Sequence, residues 1–218
     1  MARQAFEGQL EELLHDLMAM GQMVAGAIDR SVQALCRQDE AQAHEVIAYD
    51  DQINAAQHAI DEKCLVLIAT QQPLAHDLRT ILAVSNIAAE LERIGDYSEG
   101  TARLALKLAG EPFIKPLVDI PRMAELGRRM LLGALDAFGR QDTEAALKIG
   151  DADTSVDDLY NQVYRELLVI MMQNPSTITQ ATYLIWVAHN LERIADRTTN
   201  IAERTVFVAS GQVVDLNR

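Results

Sequence analysis

Residues 91–96 read LERIGD and residues 191–196 read LERIAD. Each copy sets two carboxylates four positions apart, Glu92 with Asp96 and Glu192 with Asp196. On a helix this spacing stacks both heads on one face, a few ångströms from each other. Like charges so placed cost about 0.3 kcal/mol on an isolated helix, and writing the pair twice asks for a compensating cation. Two explanations stand side by side. Arg93, Arg103, Arg193 and Arg197 could screen a solvated charged face. Alternatively, oxygen ligands from Glu, Asp and Asn could hold a hard cation such as Mg²⁺, Mn²⁺, Fe or Ca²⁺. Glu99 and Glu203 extend the two stripes, and Asn200 stands beside the second. Neither stripe contains Cys or His, which makes zinc and copper poor candidates. A carboxylate-bridged di-iron bundle needs two Glu-x-x-His motifs, and only Glu12 to His15 has that spacing. His189 is expected off the carboxylate arc, and His44, His58 and His76 have no partner at the right offset.

The elements that must carry these stripes are helices. Ala, Leu, Ile, Glu and Gln are plentiful while aromatics make up only 5%, a balance that favours helix over strand. Apolar residues from Leu10 to Leu35 recur at spacings of three and four, one face of a helix. Prolines at 73, 112, 116, 121 and 175 read as boundaries, as do the triplets Arg37-Gln38-Asp39 and Arg140-Gln141-Asp142, whose aspartates are placed to cap the helix that follows. Six helices are predicted, near 4–37, 39–71, 74–109, 117–140, 142–173 and 176–210. Helices of this length with short loops pack as antiparallel neighbours.

The halves align beyond the six-letter repeat. Arg37-Gln38-Asp39 corresponds to Arg140-Gln141-Asp142, Asp50 to Asp153, Ile53 to Val156 and the loop of Pro73 to that of Pro175. The chain therefore reads as a duplicated unit: an all-α fold of two tandem three-helix bundles related by an internal pseudo-two-fold, residues 1–111 and 112–218. On a helical wheel Ile87, Leu91, Ile94, Ser98, Thr101 and Ala102 face the core, as do Leu191, Ile194, Thr198, Ile201 and Ala202. Glu92, Asp96, Glu99 and Arg103 fall on the opposite, outward arc, with Glu192, Asp196 and Glu203 in the second copy.

A net charge of −13 argues against a nucleic-acid partner and against passive adsorption to anionic lipid. Cys36 and Cys64 form no metal-finger spacing and are expected to be buried, reduced residues. No run approaches the length of a membrane span and no signal peptide is evident, so a cytosolic protein is expected. Trp186, in the apolar run YLIWVA, is read as core. Asp77 and Arg79, in QQPLAHDLR, could bind an anion or partner; the plainer reading has Asp77 complement a helix N-terminus and Arg79 pair with a carboxylate. There is no P-loop, G-x-S-x-G or comparable catalytic motif.

With QQPLAHDLR, AELERIGD, NLERIAD, MGQMV at 20–24 and DDQIN at 50–54 in this order, nearly the whole chain resembles the PhoU family. The resemblance implies two three-helix bundles with a metal-binding E/D-x-x-x-D motif in each, which carries over to Glu92 and Asp96 and to Glu192 and Asp196. It adds Asn200, four residues past the second motif, while Gly100 stands at that place in the first. Glu99, Glu203, Asp77 and Arg79 are further candidates for metal or partner contact. The implied cofactor is a divalent or trivalent ion on oxygen ligands, Mg, Mn or Fe. The implied function is not enzymatic: a cytoplasmic negative regulator of phosphate uptake and phosphate-starvation signalling, often dimeric. Its implied partners are the ATPase of the phosphate ABC transporter and a membrane sensor histidine kinase, which would recruit it peripherally to the inner membrane. A carboxylate-bridged metal enzyme and a metal-free helical scaffold are the competing readings.

Overall fold

The structure is a computed structural model and describes residues 2–216. Six long helices account for it: α1 (Ala2–Arg37), α2 (Glu40–Gln71), α3 (Ala75–Leu108), α4 (Asp119–Arg140), α5 (Thr143–Gln173) and α6 (Ile178–Ser210), with one 3₁₀ turn at Pro175–Thr177. The two Arg-Gln-Asp triplets build the same corner twice. Gln38 and Gln141 take left-handed backbone conformations at φ 52° and 55°. The following amide then folds back, Asp39 N to Ala34 O and Asp142 N to Ala137 O, each at 2.9 Å. The aspartate side chains cap the next helix, Asp39 on Gln42 N and Asp142 on Ala145 N, both at 3.0 Å.

α1, α2 and α3 pack as one bundle and α4, α5 and α6 as a second. The bundles meet through α3 against α6 and α1 against α4, leaving α2 and α5 as the outer helices. α3 and α6 run antiparallel, because partners fall in number along α6 as they rise along α3: Arg79 reaches Val208, Glu90 reaches Asn200, and Thr101 meets Asn190. The α1/α4 crossing is close at Gly21, where a Cβ would overlap the Leu135 side chain. One apolar core runs through both bundles, from Leu13, Leu17 and Ile28 through Ile87, Leu91 and Ile94 to Leu191, Ile194 and Leu131. All of the residues assigned to the two core arcs from the sequence are buried.

Two sequence expectations fail. Trp186 is 49% exposed, its ring tilted at 50° against Tyr183 on α6, because the apolar run YLIWVA spans more than the buried width of one helix face. Cys36 is exposed in the last turn of α1, whereas Cys64 is buried and directs its thiol to Ile81 O at 3.6 Å. No helix among the described residues is long and apolar enough to cross a membrane.

Candidate functional site

The second carboxylate stripe is half-buried throughout, whereas in the first Glu92 and Glu99 are half-buried and Asp96 is exposed. Glu192 and Asp196 retain only 18% and 17% of their side-chain exposure, and Glu99 keeps 23%. The covering comes from the outer helix of each bundle, which brings its own acids to the groove. In the second half α5 supplies Asp153 and Asp157, whose charges act on Glu192 and Asp196 of α6. In the first half α2 supplies Asp50, whose carboxylate feels Asp96 and Glu99 of α3. Asp50 and Asp153 are equivalent positions of the repeat. Sequence comparison aligned them, but only the placement of α2 and α5 makes them part of the site.

This crowding has electrostatic consequences. Burial, then the neighbouring Asp196, pushes Glu192 up to about 7, against the opposing pull of Arg193. Burial, then Asp157 and Asp196, raises Asp153 to about 6. Asp50 and Asp96 are displaced in the same direction, by burial first and by adjacent carboxylates second. Asp50 Oδ1, Asn54 Oδ1 and Asp153 Oδ1 are buried and accept no hydrogen bond. Asp50 Oδ2 accepts from Asn54 Nδ2 at 3.0 Å, which orients the pair on α2. Gly95 lets α3 approach here, since a Cβ would stand 3.2 Å from Ile53 and 3.4 Å from Asp50 Oδ1.

Cations of the chain answer part of this charge. Arg103 meets Glu99 at 2.5 Å, and Arg193 meets Asp196 at 2.5 Å and Glu192 at 4.0 Å. His189, expected off the arc, approaches Glu192 Oε2 at 3.5 Å. Burial and then Arg193 lower its pKa, so it adds little positive charge at neutral pH. The buried oxygens left without donors are the sort a hard cation satisfies, and the donors are carboxylate and amide oxygen throughout. Among the described residues, no three such groups converge closely enough to enclose an ion as they stand. An ion would have to draw them together.

The other candidates fall elsewhere. Asn200 lies on the seam between the halves, where its Nδ2 donates to Glu90 Oε2 at 3.2 Å beside Arg197 at 3.5 Å. By the repeat Gly100 corresponds to Asn200 and Asn190 to Glu90; Asn190 donates to Thr101 at 3.3 Å and would sit 3.2 Å from a Cβ at Gly100. Gly100 therefore makes room for Asn190, a reason for glycine at that position that the repeat alone did not supply. Glu203 Oε1 accepts from the backbone of Leu216 at 2.9 Å. Asp77 sits in the first turn of α3. Arg79, expected to pair with a carboxylate, donates through Nε to Val208 O at 3.4 Å in the last turns of α6.

The repeat seen in sequence and space has a counterpart among known proteins. The PhoU domain matches residues 17–105 and again residues 120–205. The chain belongs to the PhoU family. It is 38% identical over 218 residues, all of both chains, to the phosphate-specific transport system accessory protein PhoU homolog of Clostridium acetobutylicum. The crystal structure of PhoU from Pseudomonas aeruginosa superposes with a TM-score of 0.91 at 37% identity, covering 95% of this chain and 100% of that one. The phosphate transport system regulatory protein PhoU from Streptococcus pneumoniae superposes at 0.90 with 30% identity, covering 96% and 99%. The all-α duplicated PhoU fold read from the sequence is thus the fold of the chain.

Proposed function

We propose that this protein is an accessory regulator of a phosphate-specific transport system, one that holds phosphate uptake and phosphate-starvation signalling down when phosphate is plentiful. The observation that supports the reading is the full-length match to proteins named as accessory or regulatory proteins of phosphate transport systems, with both PhoU domains present. In this reading the chain is a non-catalytic helical adaptor in the cytoplasm. It works as a homodimer between the transporter ATPase and a membrane sensor histidine kinase, and these partners bring it to the inner membrane. Divalent or trivalent metal, Mg, Mn or Fe, is held in each half. Asp153, Asp157, Glu192 and Asp196 are the ligands in the second half, and Asp50, Asn54, Glu92 and Asp96 in the first. Such an ion supplies the positive charge that the raised Glu192 and the donorless Asp50 and Asp153 oxygens call for.

Arg103 on Glu99 and Arg193 on Asp196 favour a second reading, a metal-free scaffold whose acids are screened internally. Two measurements separate the readings. Deleting the gene should switch starvation genes on in high phosphate; unchanged repression refutes the regulatory role. Complementing the deletion with Glu192→Ala/Asp196→Ala, alongside metal analysis of the purified proteins, tests the ion. Full repression by a variant that has lost its metal leaves the scaffold standing.

A further inference from the structure

The duplication leaves a matched pair of surface grooves, one on the outer helix of each half. The first lies between α1 and α2, has a volume of about 390 Å³, and counts Glu12, Glu62, Lys63, Val66 and Leu67 among its walls. The second lies between α5 and the segment leading into α4 and measures about 430 Å³. Its walls are Lys115, Arg165, Glu166, Val169 and Ile170. In the register that pairs Arg37-Gln38-Asp39 with Arg140-Gln141-Asp142, these five are the counterparts of the five named in the first. The charges, however, are exchanged. In the first groove Lys63 of α2 meets Glu12 of α1 at 2.5 Å and Asp16 at 2.7 Å. In the second the outer helix supplies the acid instead, and Glu166 of α5 pairs with Lys115. One position earlier stand Glu62 and Arg165, both exposed and neither with an ion-pair partner among the described residues. The first groove thus carries two acids and one base, the second two bases and one acid. Beside each is the same exposed aliphatic pair, Leu65 with Val66 and Leu168 with Val169. Single exposed aliphatics are ordinary on a protein surface. An adjacent Leu-Val pair left in water at the same place of both halves, with charges around it, has the make-up of a contact surface.

We propose that these two faces bind each other between copies of the chain: the α2 face of one molecule packs on the α5 face of another, with Glu62 opposite Arg165 and the two Leu-Val pairs between them. This rests on the homodimer reading above and names the contact through which copies meet. The occupant follows from charge. At −13 the molecules repel one another overall, and two α2 faces set together would oppose acid to acid. The α5 face of the same chain supplies what the α2 face lacks, an unpaired cation beside an exposed aliphatic pair. Two different patches meet, so the contact is heterologous and each copy brings one half of it. Its apolar centre is small, which leaves the charge match to choose the partner face and fix the register.

Sedimentation velocity on the full chain over a range of concentrations reads the association. The wild type should self-associate, whereas Glu62→Arg and Arg165→Glu should each weaken association about tenfold by setting like charges opposite. An equimolar mixture of the two variants should associate again as the wild type does, and so should the double variant Glu62→Arg/Arg165→Glu, because both restore opposite charges across the contact. Both positions are exposed on helix surfaces, so circular dichroism should show unchanged helix in every variant. Single variants that associate as the wild type does overturn the contact and leave a homodimer joined elsewhere. Variants that are weakened but rescued neither by mixing nor by the double exchange overturn the pairing of these two faces. A wild type that stays monomeric at every concentration overturns the contact and the homodimer reading together.

Discussion

Glu192 offers the most direct test of the acidic groove. In the metal-free protein, burial and Asp196 displace its pKa from the ordinary 4.5 to about 7. At about 1.4 kcal/mol per pH unit, the ionised group opposes folding by on the order of 3 kcal/mol once pH is well above 7. The 18% residual side-chain exposure lets solvent screen part of this penalty and brings the expected value down to about 2 kcal/mol. The sign follows from linkage: a carboxyl whose folded pKa is raised binds its proton more tightly in the native state. Its stabilising contribution is present below pH 4.5 and is lost as pH climbs through 7. Glu192→Gln replaces the ionisable head with a neutral one of similar size. Urea denaturation in the presence of EDTA should therefore find the variant more stable than the wild type by about 2 kcal/mol at pH 8, with the gap shrinking to about 0.5 kcal/mol at pH 5. Adding Mn²⁺ should reverse the order at pH 8, because the wild type gains binding energy that the amide supports poorly. A variant less stable than the wild type at pH 8 in EDTA would refute the claim that these carboxylates oppose folding when no cation is bound.

The seam and the cysteines give two further tests. Glu90, 19% exposed, accepts from both Arg197 and Asn200, so Glu90→Ala should cost about 2 kcal/mol in chemical denaturation by leaving a half-buried guanidinium without its anion; a loss below about 0.5 kcal/mol would show that the seam does not depend on it. In native protein at pH 8 a thiol reagent should modify the exposed Cys36 and spare Cys64, whose thiol burial pushes up to about 12. Release of two thiols without denaturant would contradict the packing of α2 on α3.

The sequence by itself determined everything that depends on one helix and its ends. Period-3.6 spacing marked the buried faces of α1, α3 and α6. The Arg-Gln-Asp triplets announced both corners, since an aspartate cap acts within a few residues of itself. The duplication, and with it the family, was legible because LERIGD and LERIAD sit at equivalent places in equivalent helices. Tertiary structure decided what lies opposite each face. A helical wheel shows that the two stripes point away from their own core arcs, but not that α2 brings Asp50 against Asp96 and Glu99, or that α5 brings Asp153 against Glu192 and Asp196. Nor does periodicity reveal that α3 and α6 meet antiparallel, which turns Asn200 to Glu90 and gives Gly100 its reason in Asn190. The outward look of YLIWVA at Trp186 and the return of the tail onto Glu203 are likewise matters of which neighbour is present. Local patterns encode which side of a helix avoids water, while the identity of the covering surface depends on contacts between residues about one hundred positions apart.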